Sequence, residues 1–209
     1  QVIDSGNHDH KNPKDLATIT EVIVGSLDLN SLLSAAAVPL KSNTGPLFFD
    51  GKALVKNVKM GDKGKNNGYP EFSITVIDGG LNLVGKIHNF TADLAIEAQW
   101  GIKPIPPAPL KQSATMAAKA IELNFDLLLK LDPKTGKIKA TTKNVDVNFT
   151  SLKISVNGLI GSLTNWLLSA LGPAVEATLE QVLKGVLQTV MGDALSGALE
   201  ALAINQDLD

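Results

Sequence analysis

Residues 164–202 read TNWLLSALGPAVEATLEQVLKGVLQTVMGDALSGALEAL. Leucine, valine and alanine recur in this stretch every three to four residues, and charged residues are few, which is the pattern of an amphipathic helix. We predict a helix of about 40 residues that is kinked at Gly172-Pro173. At about 1.5 Å per residue such a helix is roughly 60 Å long. Because this exceeds the width of a compact globule of this size, the domain is expected to be elongated.

The composition excludes several classes of function. The chain has 209 residues, 44% of them hydrophobic, which is enough for one substantial core. Its net charge is −2 and all nineteen basic residues are lysine, so the arginine fork that reads phosphates and guanine edges is missing. Because the chain has no cysteine, disulfides and thiolate metal sites are excluded. We expect no nucleic-acid partner, no metal and no cofactor.

From Leu47 onward the hydrophobic period changes from helical to two, which predicts long strands with one apolar face. The phase moves by one residue at His88-Asn89, as at a β-bulge, and again along residues 138–156. The proline-rich segment KPIPPAPLK, residues 103–111, is predicted to cross between two sub-sheets. One-sided antiparallel strands need a cover. The expected fold is therefore α+β: an elongated, strongly curved antiparallel sheet wrapped around the long C-terminal helix, with a short N-terminal helix after Lys14.

We divide the chain into a flexible N-terminal tail, residues 1–13, a single domain, residues 14–204, and a C-terminal tail, residues 205–209. The tail contains His8-Asp9-His10 with Asp4 nearby. Imidazole suits zinc, copper and nickel, but an unfolded segment offers no preorganised ligand shell. A solvated tail without metal is the prediction.

Two sequons, Asn89-Phe90-Thr91 and Asn148-Phe149-Thr150, are candidate glycosylation sites. Both asparagines are out of phase with the apolar positions around them, which predicts that they point to the polar face of the sheet. We interpret Gln1 as a processed mature end. Together these features favour a secreted, extracellular protein.

Catalytic residues are not expected. His88 is the single histidine of the folded region, and a hydrolase would need it beside a nucleophile and an orienting acid. Serines are available, but no G-x-S-x-G elbow occurs. We predict that His88 occupies a polar strand position and that the protein is not an enzyme.

The order of the predicted elements carries a family resemblance. A short N-terminal helix precedes FFDGKALVKNVKMGD, residues 48–62. Alternating hairpins then lead to DLLLKLDPKTGKIKATTKNVDVNFTSLKISVNGLIGSLTNWLLSAL, residues 126–171, which runs into the final helix. This resembles the tubular lipid-binding superfamily, and in length its single-module arthropod branch: takeout proteins, juvenile-hormone-binding proteins and mite group 7 allergens. Because takeout and hormone-binding members typically carry an N-terminal disulfide and this chain has none, the group 7 type is the better match.

The resemblance implies a hydrophobic ligand in a tunnel between helix and sheet: a fatty acid, a terpenoid or a carotenoid, held for transport or pigmentation. We expect the tunnel to be lined by the inward-phase residues Phe72, Ile74, Leu83, Leu94, Ile96, Leu123, Phe125, Leu127, Val147, Ile154, Trp166, Leu179, Leu183, Leu187 and Val190. Composition alone does not separate an aliphatic tunnel from a large aliphatic core. The helix glycines Gly185, Gly192 and Gly197 leave three interpretations open: close approach to strands, room for a ligand, or simple tolerance.

A second hypothesis is that the protein binds a membrane surface. The C-terminal helix would open onto a membrane or an air–water interface. The protein would then act as a lipopolysaccharide-recognising or surfactant-like protein. The oligomeric state is left open in both hypotheses.

Overall fold

The computed structural model describes residues 3–44, 46–158 and 162–206. Two short helices come first and one long helix comes last, with all strands between them. The elements are α1 (Leu16–Gly25), α2 (Leu29–Ser34), β1 (Ala37–Thr44), β2 (Leu47–Lys59), β3 (Glu71–Ile77), β4 (Gly80–Ile102), β5 (Ala108–Leu131), β6 (Ile138–Thr150), β7 (Lys153–Val156) and α3 (Ser162–Gln206). The sequence-based fold class, a curled antiparallel sheet with a short N-terminal and a long C-terminal helix, is confirmed. The C-terminal tail was expected at 205–209, but α3 continues to Gln206, and residues 207–209 lie outside the described residues.

One long hairpin forms the spine of the sheet. β4 and β5 have 23 and 24 residues and pair antiparallel from Gly80 opposite Leu128 to Trp100 opposite Ala108. β3 and then β2 with β1 flank β4, whereas β6 and β7 flank β5. The prediction that residues 103–111 cross between sub-sheets is therefore wrong. The segment closes the β4–β5 hairpin and enters β5, since the two strands stay paired up to both sides of the loop.

The apolar face of the sheet changes sides partway along the spine. In β4 the consecutive residues Ile87 and His88 are both buried, and their partners Ile121 and Ala120 in β5 are buried too. Both strands therefore exchange their inward and outward positions together, and their register is preserved. The predicted change of phase at His88-Asn89 is confirmed, and its matching change in β5 explains why no residue is left over in the β4–β5 ladder.

Three strands, β2, β4 and β6, each contain an asparagine with a left-handed backbone conformation. Asn57 in β2, Asn89 in β4 and Asn144 in β6 all have a φ of 51°. Asparagine enters this left-handed region more readily than most residues. Each amide Nδ2 also donates to a carboxylate, Asn57 to Asp93 at 2.8 Å, Asn89 to Asp62 at 3.1 Å and Asn144 to Asp126 at 2.7 Å. The pairing register shifts at the first and third of these sites, so the strands bend and coil there.

The buried ridge of α3 follows a four-residue spacing that the sheet must match. Its fully buried side chains are Leu167, Leu171, Val175, Leu179, Leu183, Leu187, Met191 and Leu195. Because a helix turns once in about 3.6 residues, each four-residue step advances the ridge by about 40° around the axis. Over the seven steps the ridge turns by about 280°. A flat sheet cannot stay in contact with such a ridge, and the coiled sheet can.

The same spacing corrects one predicted position. Val190 was assigned to the inward face, but the ridge passes from Leu187 to Met191, and Val190 is 38% exposed. The helix continues through Pro173 as one element of 45 residues, about 68 Å at 1.5 Å per residue. Pro173 is exposed and lies two residues from both Leu171 and Val175 of the buried ridge.

The three helix glycines have different surroundings. A Cβ added at Gly192 would lie 3.1 Å from the carbonyl oxygen of Ala140 in β6, whereas at Gly185 and Gly197 it would meet nothing within 4 Å. Close approach therefore explains Gly192, and the other two are sites of tolerance.

We expect Gly192→Ala to lower the free energy of unfolding, although alanine is favoured over glycine in a helix by about 1 kcal/mol. The clashing atom belongs to a paired strand and has little freedom to move. Gly185→Ala is the matched control and should raise the free energy of unfolding by up to about 1 kcal/mol. Urea unfolding followed by circular dichroism measures both, and equal stabilisation by the two changes would contradict the close contact.

Candidate ligand-binding site

Most residues predicted to line a tunnel are packed together in one hydrophobic core. Each residue of this group is at most 5% exposed: Phe72, Leu83, Leu94, Ile96, Leu123, Phe125, Leu127, Val147, Leu179, Leu183 and Leu187. Ile74, Ile154 and Trp166 are partly buried against the same core. Their part in holding a ligand stays a prediction.

A cleft of about 280 Å³ lies between β7 and the N-terminal half of α3. Its walls are Leu152 and Ile154 on one side and Leu168, Gly172, Pro173 and Glu176 of α3 on the other. Gly172 contributes no side chain to the helix wall, and a Cβ at this position would meet nothing within 4 Å. The lining is aliphatic with one carboxylate, and the volume lies near the lower end of the range of small-molecule sites.

The cleft forms here because the sheet is narrow at this point. β7 has four residues and pairs with Ala114–Ala117 of β5. Ile154 is consequently half-buried, whereas Met116, its partner in β5, is fully buried. Trp166 meets Phe49 of β2 edge-on, with 5.4 Å between ring centroids, and so anchors the start of α3 beside the cleft.

Polar contacts tie the C-terminal half of α3 to β6. The backbone N–H of Ala140 in β6 donates to Ser196 Oγ at 2.8 Å, and this hydroxyl donates in turn to the Gly192 carbonyl at 2.7 Å. Lys184 Nζ lies 3.2 Å from Asp146 Oδ1 of β6. Beside β7, the contacts that line the cleft are apolar.

The N-terminal residues contact the folded domain through His8 and His10, and the flexibility expected of residues 1–13 stays a prediction. Glu21 of α1, whose side chain is 1% exposed, places Oε2 at 3.0 Å from His8 Nδ1 and 2.7 Å from His10 Nε2. Its Oε1 accepts the backbone N–H of Phe72 at 3.0 Å. The His10 ring stacks on Tyr69 with centroids 4.1 Å apart. A buried carboxylate needs such partners, and the histidines supply them.

Sequence reasoning missed this cluster, although one signal was present. Glu21 interrupts the apolar run of α1, LATITEVIVG, and a glutamate on the inward face of a helix must find hydrogen-bond donors. The donors come from residues 8, 10 and 72, which no spacing rule connects to α1. Among the described residues, no group of three or more His, Asp and Glu side chains is arranged to hold a metal ion.

His88 also differs from its prediction as a polar strand position. The residue is buried, because it lies at the change of phase in β4. Its Nε2 is 3.0 Å from Glu71 Oε2, at ion-pair distance but without hydrogen-bond geometry.

Both sequon asparagines have exposed side chains. Asn89 Nδ2 donates to Asp62, and Asn148 lies on the outer face of β6. Glycan occupancy at Asn89 and Asn148 stays a prediction.

Comparison with known proteins relates the chain to others through its fold. No family model matches the sequence, and no curated protein matches it. A crystal structure of lipopolysaccharide binding protein is similar, with a TM-score of 0.54 and 15% identity over 80% of this chain and 37% of that one. A solution structure of latherin has a TM-score of 0.26 and 13% identity over 75% of this chain and 60% of that one, which is too low to support an argument.

The first likeness shows the fold and extends no further. The curled antiparallel sheet with a long C-terminal helix is the fold that the sequence predicted, and membership of the tubular lipid-binding superfamily stays a prediction. The chain spans about 37% of the length of lipopolysaccharide binding protein. Nothing in the comparisons assigns it to the takeout, hormone-binding or mite-allergen branch, so that finer resemblance stays a prediction.

Proposed function

We propose that the protein is a secreted, non-enzymatic carrier of an apolar molecule, and that the molecule binds between β7 and the N-terminal half of α3. The cleft of about 280 Å³ between Ile154 and Leu168 is the observation that carries this proposal. It is an aliphatic opening that reaches the half-buried edge of the core. Binding is driven by apolar burial, at about 25 cal/mol per Å² before the costs of ordering.

The rim of the cleft narrows the class of ligand. Glu176 is the charged residue among its lining side chains. A carboxylate there repels the head group of an ionised fatty acid and accepts a hydrogen bond from a hydroxyl. A neutral or hydroxyl-bearing molecule, such as a terpenoid or a carotenoid, is therefore favoured over a free fatty acid.

Action at an interface through an opened α3 is less well supported. The ridge from Leu167 to Leu195 is buried against the sheet, and the Ser196 and Lys184 contacts hold the C-terminal half on β6. Release of the whole helix would break these contacts and expose the core. A carrier needs the helix and β7 to part at the cleft alone.

The proposal is tested by titrating delipidated protein with Nile red, a neutral apolar dye. We expect saturable binding with one site per chain and a blue-shifted emission, since the dye enters an aliphatic environment. Retinol, a hydroxyl-bearing polyene, should displace the dye more effectively than oleate. Linear, non-saturating fluorescence, or displacement by oleate alone, would contradict the proposal.

A further inference from the structure

Two loops meet at one end of the spine hairpin. There the turn between β1 and β2 lies beside the β4–β5 loop, because Lys103 N–H donates to the Pro46 carbonyl at 2.9 Å and Leu47 pairs with Ile102. We call this end, residues 46–48 and 100–107, the hairpin tip. Its two chain segments form one continuous surface.

Apolar side chains project from the hairpin tip into solvent. Ile105 is 63% exposed and Ile102 is 43% exposed, and the prolines at 46, 104, 106 and 107 are exposed as well. The backbone N–H of Ile105 donates to the Ile102 carbonyl at 2.7 Å, which fixes the loop as a tight turn. Exposed isoleucines on a constrained loop lose little conformational entropy on binding.

The charges around the hairpin tip match a lipid surface. Residues 42–49 and 98–110 include one charged side chain, Lys103, and no acidic residue. Phe48 and Trp100 are half-buried behind the isoleucines, at the level where aromatic side chains meet lipid head groups. Within the hairpin tip itself, prolines at 46, 104, 106 and 107 stand beside the isoleucines.

We propose that the hairpin tip docks the protein onto a lipid surface, with Ile102 and Ile105 entering the acyl region and Lys103 at the head groups. The contact is peripheral, since within the described residues none of the helices has the apolar run that a bilayer crossing demands. Docking would also bring the cleft close to the lipid, because β7 pairs with the tip-proximal half of β5 and Trp166 contacts Phe49. The docking itself does not depend on the proposed cargo.

Vesicle flotation tests the proposal with a matched pair of variants. The wild-type protein should float with phosphatidylcholine vesicles, and a minority of phosphatidylserine should increase the bound fraction through Lys103. Ile105→Asp should weaken partitioning roughly tenfold or more, because burial of a whole isoleucine is lost and a charge is added. Leu131→Asp is the control: Leu131 is 66% exposed at the opposite end of β5, and its replacement should leave flotation unchanged.

Two results would overturn the proposal: failure of the wild type to float, or equal losses in Ile105→Asp and Leu131→Asp. Nile red binding in solution separates this proposal from the carrier function. Ile105→Asp should keep the wild-type affinity for the dye. If it also abolished dye binding, the hairpin tip would belong to the cargo site and the docking role would be rejected.

Discussion

Replacing Glu21 with alanine is expected to lower the free energy of unfolding by about 3 kcal/mol or more, since hydrogen bonds to a charged group contribute about 1.5–3 kcal/mol each. The carboxylate is 1% exposed and joins three separate segments: α1, the N-terminal residues through His8 and His10, and β3 through the Phe72 N–H. Alanine would leave this N–H without its acceptor and the histidines without their partner. Urea unfolding followed by circular dichroism measures the loss.

Two further variants separate charge from hydrogen bonding. Glu21→Gln keeps an oxygen that accepts the Phe72 N–H but removes the negative charge, so its loss should fall between those of the wild type and Glu21→Ala. Glu97→Ala removes an exposed glutamate of β4 and should change stability by less than about 0.5 kcal/mol. A cost below about 1 kcal/mol for Glu21→Ala would mean that the N-terminal residues are not docked on Glu21.

Filling the cleft should weaken the binding of an apolar probe about tenfold or more, equivalent to about 1.4 kcal/mol. Leu168→Trp is the variant of choice, because Leu168 lines the cleft from α3. The larger indole ring extends from the helix wall into the space of about 280 Å³ and occupies part of the position proposed for the ligand. The measurement is a Nile red titration with direct excitation of the dye, so that the added indole does not contribute.

Leu199→Trp provides the matched control for Leu168→Trp. Leu199 is also a half-buried leucine of α3, but it packs on the core near the other end of the helix. We expect its dye affinity to stay within about threefold of the wild type, a change below about 0.7 kcal/mol. Wild-type affinity in both tryptophan variants would place the probe outside the cleft, and an equal loss in both would indicate a general disturbance of the helix.

The strands were predictable because their evidence is local. Period-two alternation in residues 90–98 and 121–129 specifies which side chains face inward, and an interruption such as His88-Asn89 specifies where the face changes. The role of Asn57, Asn89 and Asn144 was not predictable, because a left-handed φ leaves little mark on hydrophobic periodicity. The four-residue spacing of the helix ridge could be predicted from the sequence. The turning of the sheet around α3 could not, because it depends on the geometry of both elements.

The candidate site was less accessible to sequence reasoning than the fold. Inward phase identified Leu83, Phe125 and Leu179 as core, yet core and ligand lining have the same composition. The cleft arises from the shortness of β7 and the missing side chain of Gly172, and strand length is the least certain part of a sequence-based prediction. The docking of His8 and His10 on Glu21 depends on long-range contacts, which periodicity does not encode.

If the protein is a carrier, chemical analysis of the natural protein should find the apolar molecule that it carries. Protein purified from its natural source without detergent is weighed by native mass spectrometry, its visible absorption spectrum is recorded, and an organic extract is analysed. We expect the extract to contain a neutral apolar molecule in a stoichiometric amount, with visible absorbance if that molecule is a carotenoid. A native mass explained by polypeptide and glycan alone, with an empty extract, would contradict the carrier function.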